Sequence, residues 1–167
     1  EQETILKWAK KINSKKLKIG LTWSGSLYGV NEPFRSIELD KLKKILSLDC
    51  EFFCLQKDIW ERDKKYFEDS KINYLGDNNF LEIAAIIENL DLVISTDTST
   101  LHLSSTLEKL TWGLISFNPE WRWWMYNKPA FYKNLIEYKQ IKFNNWNNVL
   151  DDVYLDLKKL IEEKKSH

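Results

Sequence analysis

Apolar positions along the chain change period repeatedly, from helical spacing to short unbroken runs and back. Ile5, Leu6, Trp8 and Ile12 mark an amphipathic leading helix within residues 1–16. Residues 17–23 (LKIGLTW) read as a first strand, and residues 25–35 as an irregular loop punctuated by Gly25, Gly29, Asn31 and Pro33. Leu39, Leu42, Ile45 and Leu46 return to helical spacing ahead of a second strand at 51–56, and a charged helical stretch leads to a third at 72–75. Phe80, Ile83, Ala84, Ile86, Ile87 and Leu90 fall on one face of the next helix. Residues 92–96 begin Leu-Val-Ile, with no polar interruption, as a strand covered on both faces requires. A short helix at 101–107, a fifth strand at 110–116, an aromatic segment at 117–131 and a last strand at 135–140 follow. Trp146, Val149, Leu150, Val153, Tyr154, Leu157, Leu160 and Ile161 then draw one apolar stripe along a closing helix at 144–165.

Strands separated by helices imply parallel crossovers, and hence a three-layer, Rossmann-like α/β domain: about six parallel strands with helices on both faces. One such domain accounts for residues 1–167. In a sheet of this kind ligands sit beyond the carboxyl ends of the strands, where the strand order reverses. The loops after strands one, three, four and five are therefore where chemistry is expected.

Composition narrows the choice of partner. Twenty-five Lys and Arg balance 25 Asp and Glu, which argues against nucleic acid as the main partner. No apolar run approaches the roughly 20 residues of a membrane span, and the first residues lack the basic-then-apolar pattern of a secretory signal. The chain opens on Glu1 rather than Met, so it is expected to be processed or trimmed from something longer. Cys50 and Cys54 are the only cysteines; on one strand they lie about 13 Å apart, too far for a disulfide. They read as reduced structural thiols in a cytoplasmic protein. With only His102 and His167 as histidines, the ligand inventory is too thin for a metal site.

The segment Val93-Ile94-Ser95-Thr96-Asp97-Thr98-Ser99-Thr100-Leu101-His102-Leu103-Ser104 carries the sharpest chemical signal. A buried strand runs into a hydroxyl-rich turn and a helix begins at once. The amides at a helix start carry a partial positive charge that suits phosphate, and Thr98, Ser99 and Thr100 offer hydroxyls to the helix or to a ligand. With Thr98 as the cap, His102 falls one turn in and looks back at the turn. Two readings stand on the pattern alone: an anion site with His102 as a donor, or a well-capped helix with His102 a satisfied interior residue.

Ser95-Thr96-Asp97-Thr98-Ser99 followed by His102-Leu103 resembles the donor-site motif of family 9 glycosyltransferases, the heptosyltransferase-like enzymes. It is more similar still to the glycosyltransferase-like domains that follow tetratricopeptide repeats. Residues 18–25 (KIGLTWSG) with Arg35-Ser36-Ile37 resemble that group's opening strand and loop. Phe53-Cys54-Leu55-Gln56-Lys57 resembles its second strand, and Asn118-Pro119-Glu120-Trp121-Arg122-Trp123 its tryptophan-rich loop. These landmarks keep the family's order over roughly residues 17–150.

The resemblance implies the carboxy-terminal half of a GT-B fold, which grips a nucleotide-diphosphate sugar while an amino-terminal domain presents the acceptor and often the base. Carried over by position, Asp97, Thr98, Ser99 and His102 fall on the donor-binding motif, with Ser24, Gly25 and Arg35 in the opening loop. Ser99 stands where heptosyltransferases have Gly, and Ser104 and Ser105 where relatives often have Ala or Gly. Arg35 is expected to hold diphosphate oxygens with its fork, or else to pair with Glu32 or Glu38 at the surface. Glu82, in the first turn after strand three, is expected either to accept ribose hydroxyls or merely to complement the helix dipole, and Lys57 reads as solvated. Trp121, Trp123 and Trp124 with Arg122 offer stacking surfaces, or packing against a missing domain. The resemblance thus implies a nucleotide sugar as donor substrate, no cofactor, no metal, and an acceptor domain or tetratricopeptide repeats as missing partners. No carboxylate here is placed as a general base, so the isolated chain is expected to bind nucleotide and turn over little or nothing. The rival is a non-catalytic relative that keeps the fold as a protein-interaction or weak nucleotide-binding module.

Overall fold

The computed structural model of the chain describes residues 2–26, 32–124 and 132–166, without the side chains of Glu32, Pro33, Arg122 and Trp124. Gly29, Asn31, Phe131 and His167 lie outside the described residues. Six parallel strands form one sheet: β1 (Lys18–Thr22), β2 (Glu51–Cys54), β3 (Ile72–Asn73), β4 (Leu92–Thr96), β5 (Thr111–Ile115) and β6 (Leu135–Lys139). Their order is β3-β2-β1-β4-β5-β6, so the chain reverses direction across the sheet between β1 and β4. The register sets Gly20 beside Phe53 and Val93, and Ser95 beside Thr22 and Gly113.

Alternate residues of each strand feed two cores, because successive side chains leave opposite faces of a sheet. Ile19, Leu21, Phe52, Leu92, Ile94, Trp112 and Leu114 pack with Leu42 and Ile45 and with the stripe Val149, Val153, Leu157 and Ile161. These come from a 3-10 turn (Leu39–Leu42) running into α3 (Lys43–Leu46), and from α8 (Asn147–Lys165). On the other face Phe53, Leu55 and Val93 meet Trp8 and Ile12 near α1 (Gln2–Lys11), and Ala85, Ile86, Ile87 and Leu90 near α5 (Phe80–Glu88). Gly20 permits this second layer, since a Cβ there would overlap Leu55 and come within 2.7 Å of Leu90. Farther along the same face, Leu101 of α6 (Ser99–Thr106) packs on Ile115, Trp123 and Leu135. No helix among the described residues is long and apolar enough to cross a membrane.

The architecture is the expected three-layer parallel sheet, with local corrections. The end of the predicted 25–35 loop is a helical turn, α2 (Glu32–Arg35), and the aromatic segment contains another, α7 (Trp121–Trp124). β3, at one edge of the sheet, is two residues long, half its predicted length. The leading helix stops at Lys11, and the closing one starts at Asn147. Phe80, assigned by spacing to the buried face of α5, is 60% exposed. It stands at the first turn, ahead of the part of the helix that crosses the sheet.

Candidate functional site

A cavity of about 560 Å³ opens where β1 and β4 diverge, at the carboxyl ends of β1 to β4. Its walls come from four successive chain segments: Ser24, Gly25 and Ser26 after β1, Gln56, Lys57 and Asp58 after β2, Gly76, Asp77 and Asn78 after β3, and Asp97 to Thr100 after β4. Arg35 and His102 complete the polar side, and Phe80, Ile83 and Leu103 form an apolar wall. This is the crevice that an open parallel sheet offers at its switch point.

The loop after β1 is held from the neighbouring strand. The buried Gln56 carbonyl oxygen accepts from the Trp23 amide (3.1 Å) and the Ser24 amide (2.9 Å), while its amide nitrogen donates to Ser24 Oγ (2.6 Å). Asp63 of α4 (Glu61–Glu68), 2% exposed, accepts from Trp23 Nε1 and from the Leu39 amide, both at 3.0 Å. Trp60 Nε1 donates to the Gly25 carbonyl at 3.1 Å. The Ser24–Ser26 wall is thus fixed by side chains 32 to 40 residues away.

The β4 turn is built differently. Ser95 Oγ donates to the Thr96 carbonyl (2.8 Å), which spends its only proton. Thr98 Oγ1 therefore donates to Ser95 Oγ across 3.0 Å. Thr98 occupies the cap of α6 with extended backbone (φ −135°, ψ 172°), yet its side chain makes no cap hydrogen bond. The first-turn amides of α6 thus start beside the cavity without a side-chain cap, where an anion would find them. Thr22 and Thr96, at the ends of β1 and β4, each bury a hydroxyl oxygen that has no hydrogen-bond partner among the described residues, and Thr22 lines the cavity.

Asp97 is the hub. It is 6% exposed and accepts from Trp123 Nε1 at 2.9 Å. His102 Nε2 lies 3.4 Å from its Oδ1, and Arg35 Nη1 lies 3.9 Å from its Oδ2. Burial opposes its ionisation most strongly. The His102 and Trp123 hydrogen bonds, with the charges of His102 and Arg35, nevertheless hold the carboxyl below the ordinary carboxylate range. The other His102 nitrogen, Nδ1, meets Tyr132 Oη at 3.0 Å, and the ring stacks on Trp123 with 5.9 Å between centroids and an 18° tilt.

Seven of the eight expected site residues come together at this cavity: Ser24, Gly25, Arg35, Asp97, Thr98, Ser99 and His102 all line it. Glu82 does not. Its carboxylate accepts from Trp8 Nε1 and pairs with Lys7 Nζ at 3.0 Å, so it ties α1 to α5 instead of facing a ligand. Lys57, expected to be solvated, is exposed and also borders the cavity. Trp121 is 63% exposed and Trp123 buried, and neither is among the described lining residues. Gln56, Asp63 and Tyr132 are contacts around the cavity that the sequence did not announce, whereas Trp123, expected to stack or to pack, stacks on His102 and donates to Asp97. A Trp or Tyr far along the chain carries no local mark of the carboxylate or imidazole it will meet. Among the described residues no group of three or more His, Cys, Asp or Glu is arranged to hold a metal.

The model of a known family, glycosyltransferase family 9 (heptosyltransferase), matches residues 48–149, more than half of the chain. The fold is similar to that of ADP-heptose LPS heptosyltransferase II from E. coli: TM-score 0.62, 11% identity, covering 99% of this chain and 53% of that one. It is similar also to the E. coli heptosyltransferase WaaC with ADP: TM-score 0.60, 15% identity, covering 96% and 48%. At these identities the likeness speaks for the fold, and the chain spans about half the length of the heptosyltransferases it matches. No curated protein sequence matches it.

Proposed function

The chain belongs to glycosyltransferase family 9, and on that footing we propose that it is the donor-binding half of a two-domain transferase, holding a nucleotide-diphosphate sugar in the cavity at the β1–β4 switch point. The supporting observation is the meeting of Arg35, the uncapped start of α6, and the hydroxyls of Ser24, Thr98 and Ser99 on one crevice. Each is a donor, and a diphosphate is an array of acceptors.

Transfer breaks the bond between the anomeric carbon and the terminal phosphate oxygen, and negative charge grows on the departing diphosphate. The Arg35 guanidinium and the α6 amides are fixed before that charge appears, which is how preorganised donors lower a barrier. The acceptor hydroxyl and the base that takes its proton belong to the other half of the enzyme: an amino-terminal acceptor domain, or a module linked to tetratricopeptide repeats. Arg35 bordering the cavity favours this reading over an interaction module, in which the cation would face elsewhere.

Calorimetric titration of the chain with UDP, GDP and ADP tests the proposal. One nucleotide is expected to bind saturably and to lose about tenfold or more in affinity in Arg35→Ala. Absence of binding at millimolar concentrations of all three would overturn the proposal for this chain.

A further inference from the structure

The helix α4 buries a single residue, and it is a charged one: Asp63, in the first turn. A carboxylate seldom leaves water without partners, and here each oxygen has its own. Oδ2 accepts from Trp23 Nε1 and Oδ1 from the Leu39 amide, both at 3.0 Å, and both donor residues are sealed from solvent. Trp23 directly follows β1, and Leu39 opens the 3-10 turn. One carboxylate thus grips both ends of the segment that brings Ser24, Gly25, Ser26 and Arg35 to the cavity. The Ile37 amide draws the same ends together by donating to the Trp23 carbonyl at 2.8 Å. Phe67, one turn beyond Asp63 on α4, stacks on the Trp23 ring with 5.9 Å between centroids.

The two limbs of that segment are supported differently. On the outgoing limb Gln56 holds Ser24, and Trp60 holds the Gly25 carbonyl. On the returning limb Arg35 closes a helix of four residues, too short to keep a direction of its own. Its 3.9 Å approach to Asp97 is an ion pair and not a hydrogen bond, so it favours proximity without fixing where the fork points. The limb takes its direction where its backbone is anchored, at Ile37 and Leu39, and the Leu39 anchor is Asp63.

We infer that Asp63, which is not among the described residues lining the cavity, is a positioning residue of the donor site: it acts through Trp23 and Leu39 to aim the Arg35 guanidinium at the diphosphate. The inference rests on the donor-binding reading and adds that the placement of its cation is determined from α4. Asp63→Asn is the discriminating change. The two donors approach different oxygens and an amide offers only one, so its nitrogen must face a donor.

Titrations of the full chain with UDP, GDP and ADP, in wild type, Asp63→Asn, Arg35→Ala and the double variant, form a closed cycle. Asp63→Asn is expected to lose about fivefold in affinity for the preferred nucleotide, and to lose nothing further once Arg35→Ala is present. Trp23→Phe removes the Nε1 donor but keeps a ring against Phe67 and the Leu39 bond to Asp63. It is expected to lose about threefold by the same route, and it decides the question should Asp63→Asn not fold. The side-chain Nε–Hε resonance of Arg35 gives a readout that needs no nucleotide. It is expected to shift in both variants toward the position of a solvent-exposed arginine. A merely structural role would lower the melting temperature while leaving that resonance and the affinity unmoved, and would overturn the inference. So would an affinity loss of equal size with and without Arg35. Failure of the wild type to bind any of the three nucleotides overturns the donor-binding reading instead, and the Arg35 resonance alone then decides whether Asp63 places the arginine.

Discussion

The two ends of the sheet use the same residue types for opposite purposes. At the amino ends of the strands, Asp49 pairs with Lys16 and Lys165 at 3.0 and 2.7 Å, and Asp91 pairs with Lys164 at 2.9 Å while accepting from the Lys18 amide at 2.8 Å. These ion pairs lie in solvent and tie the end of α8 to the residues that enter β1, β2 and β4. At the carboxyl ends, Asp97 draws Arg35, His102 and Trp123 around a cavity. Neighbouring cations hold all three carboxyls low, Asp49 down to about 2; Asp91 and Asp97 do so against burial, and Asp97, the more deeply buried, has its partners on three separate elements. A depressed carboxyl therefore says little about function. What separates a tether from a site is whether its partners line an open crevice.

Removing the hub should have the largest effect. Asp97→Ala leaves the buried Trp123 Nε1 without its acceptor and Arg35 and His102 without their carboxylate, and is expected to lower urea-unfolding stability by about 2–4 kcal/mol. Asp91→Ala, at the wetter end, is expected to cost about 1 kcal/mol, chiefly through the lost acceptor for the Lys18 amide. Equal losses at the two positions would erase the contrast. Arg35→Ala comes next, with nucleotide affinity down by about tenfold to a hundredfold, whereas Lys164→Ala leaves it unchanged.

Acid should separate tether from bulk with a smaller effect. The Asp49 carboxyl is bound to two ammonium groups in the folded chain and falls from 3.8 to about 2. Its contribution is present above the ordinary carboxylate range and lost as pH falls through about 2. The melting temperatures of wild type and Asp49→Asn should accordingly differ at neutral pH and converge at pH 2, with the neutral gap shrinking in about 1 M salt. A gap that widened in acid would reverse the assignment. The smallest difference concerns the thiols. Burial pushes Cys50 up to about 12 and Cys54 to about 11, so both should react slowly with a thiol reagent at pH 8 and rapidly once unfolded. Cys54 lines the cavity and Cys50 does not, so nucleotide should slow modification of Cys54 alone.

The same two ends explain what the sequence disclosed. β4 was legible to the residue, Leu92–Thr96, because a strand buried on both faces must be apolar throughout its first turn of pairing. The hydroxyl-rich turn and helix start that follow were legible because capping chemistry is local. Arg35 and Ser24 reached the candidate site only through resemblance to a family pattern. Tyr132, Gln56 and Asp63 were invisible because their partners lie 30 to 40 residues away, and no periodicity encodes such a meeting. Glu82 misled for the same reason. Its position in the first turn of α5 suited a ribose, but Trp8, 74 residues earlier, claims its carboxylate. Four-residue helices such as α2 and α7 are too short to show a repeat.

Backbone amide chemical shifts, followed while the preferred nucleotide is added, test most directly whether the carboxyl end of the sheet is the donor site. The structure predicts movement confined to Ser24, Gly25, Ser26, Arg35 and Thr98 to Thr100, with Lys18, Asp49, Asp91 and Lys164 still. Shifts centred on the amino end, or none at saturating nucleotide, would contradict it.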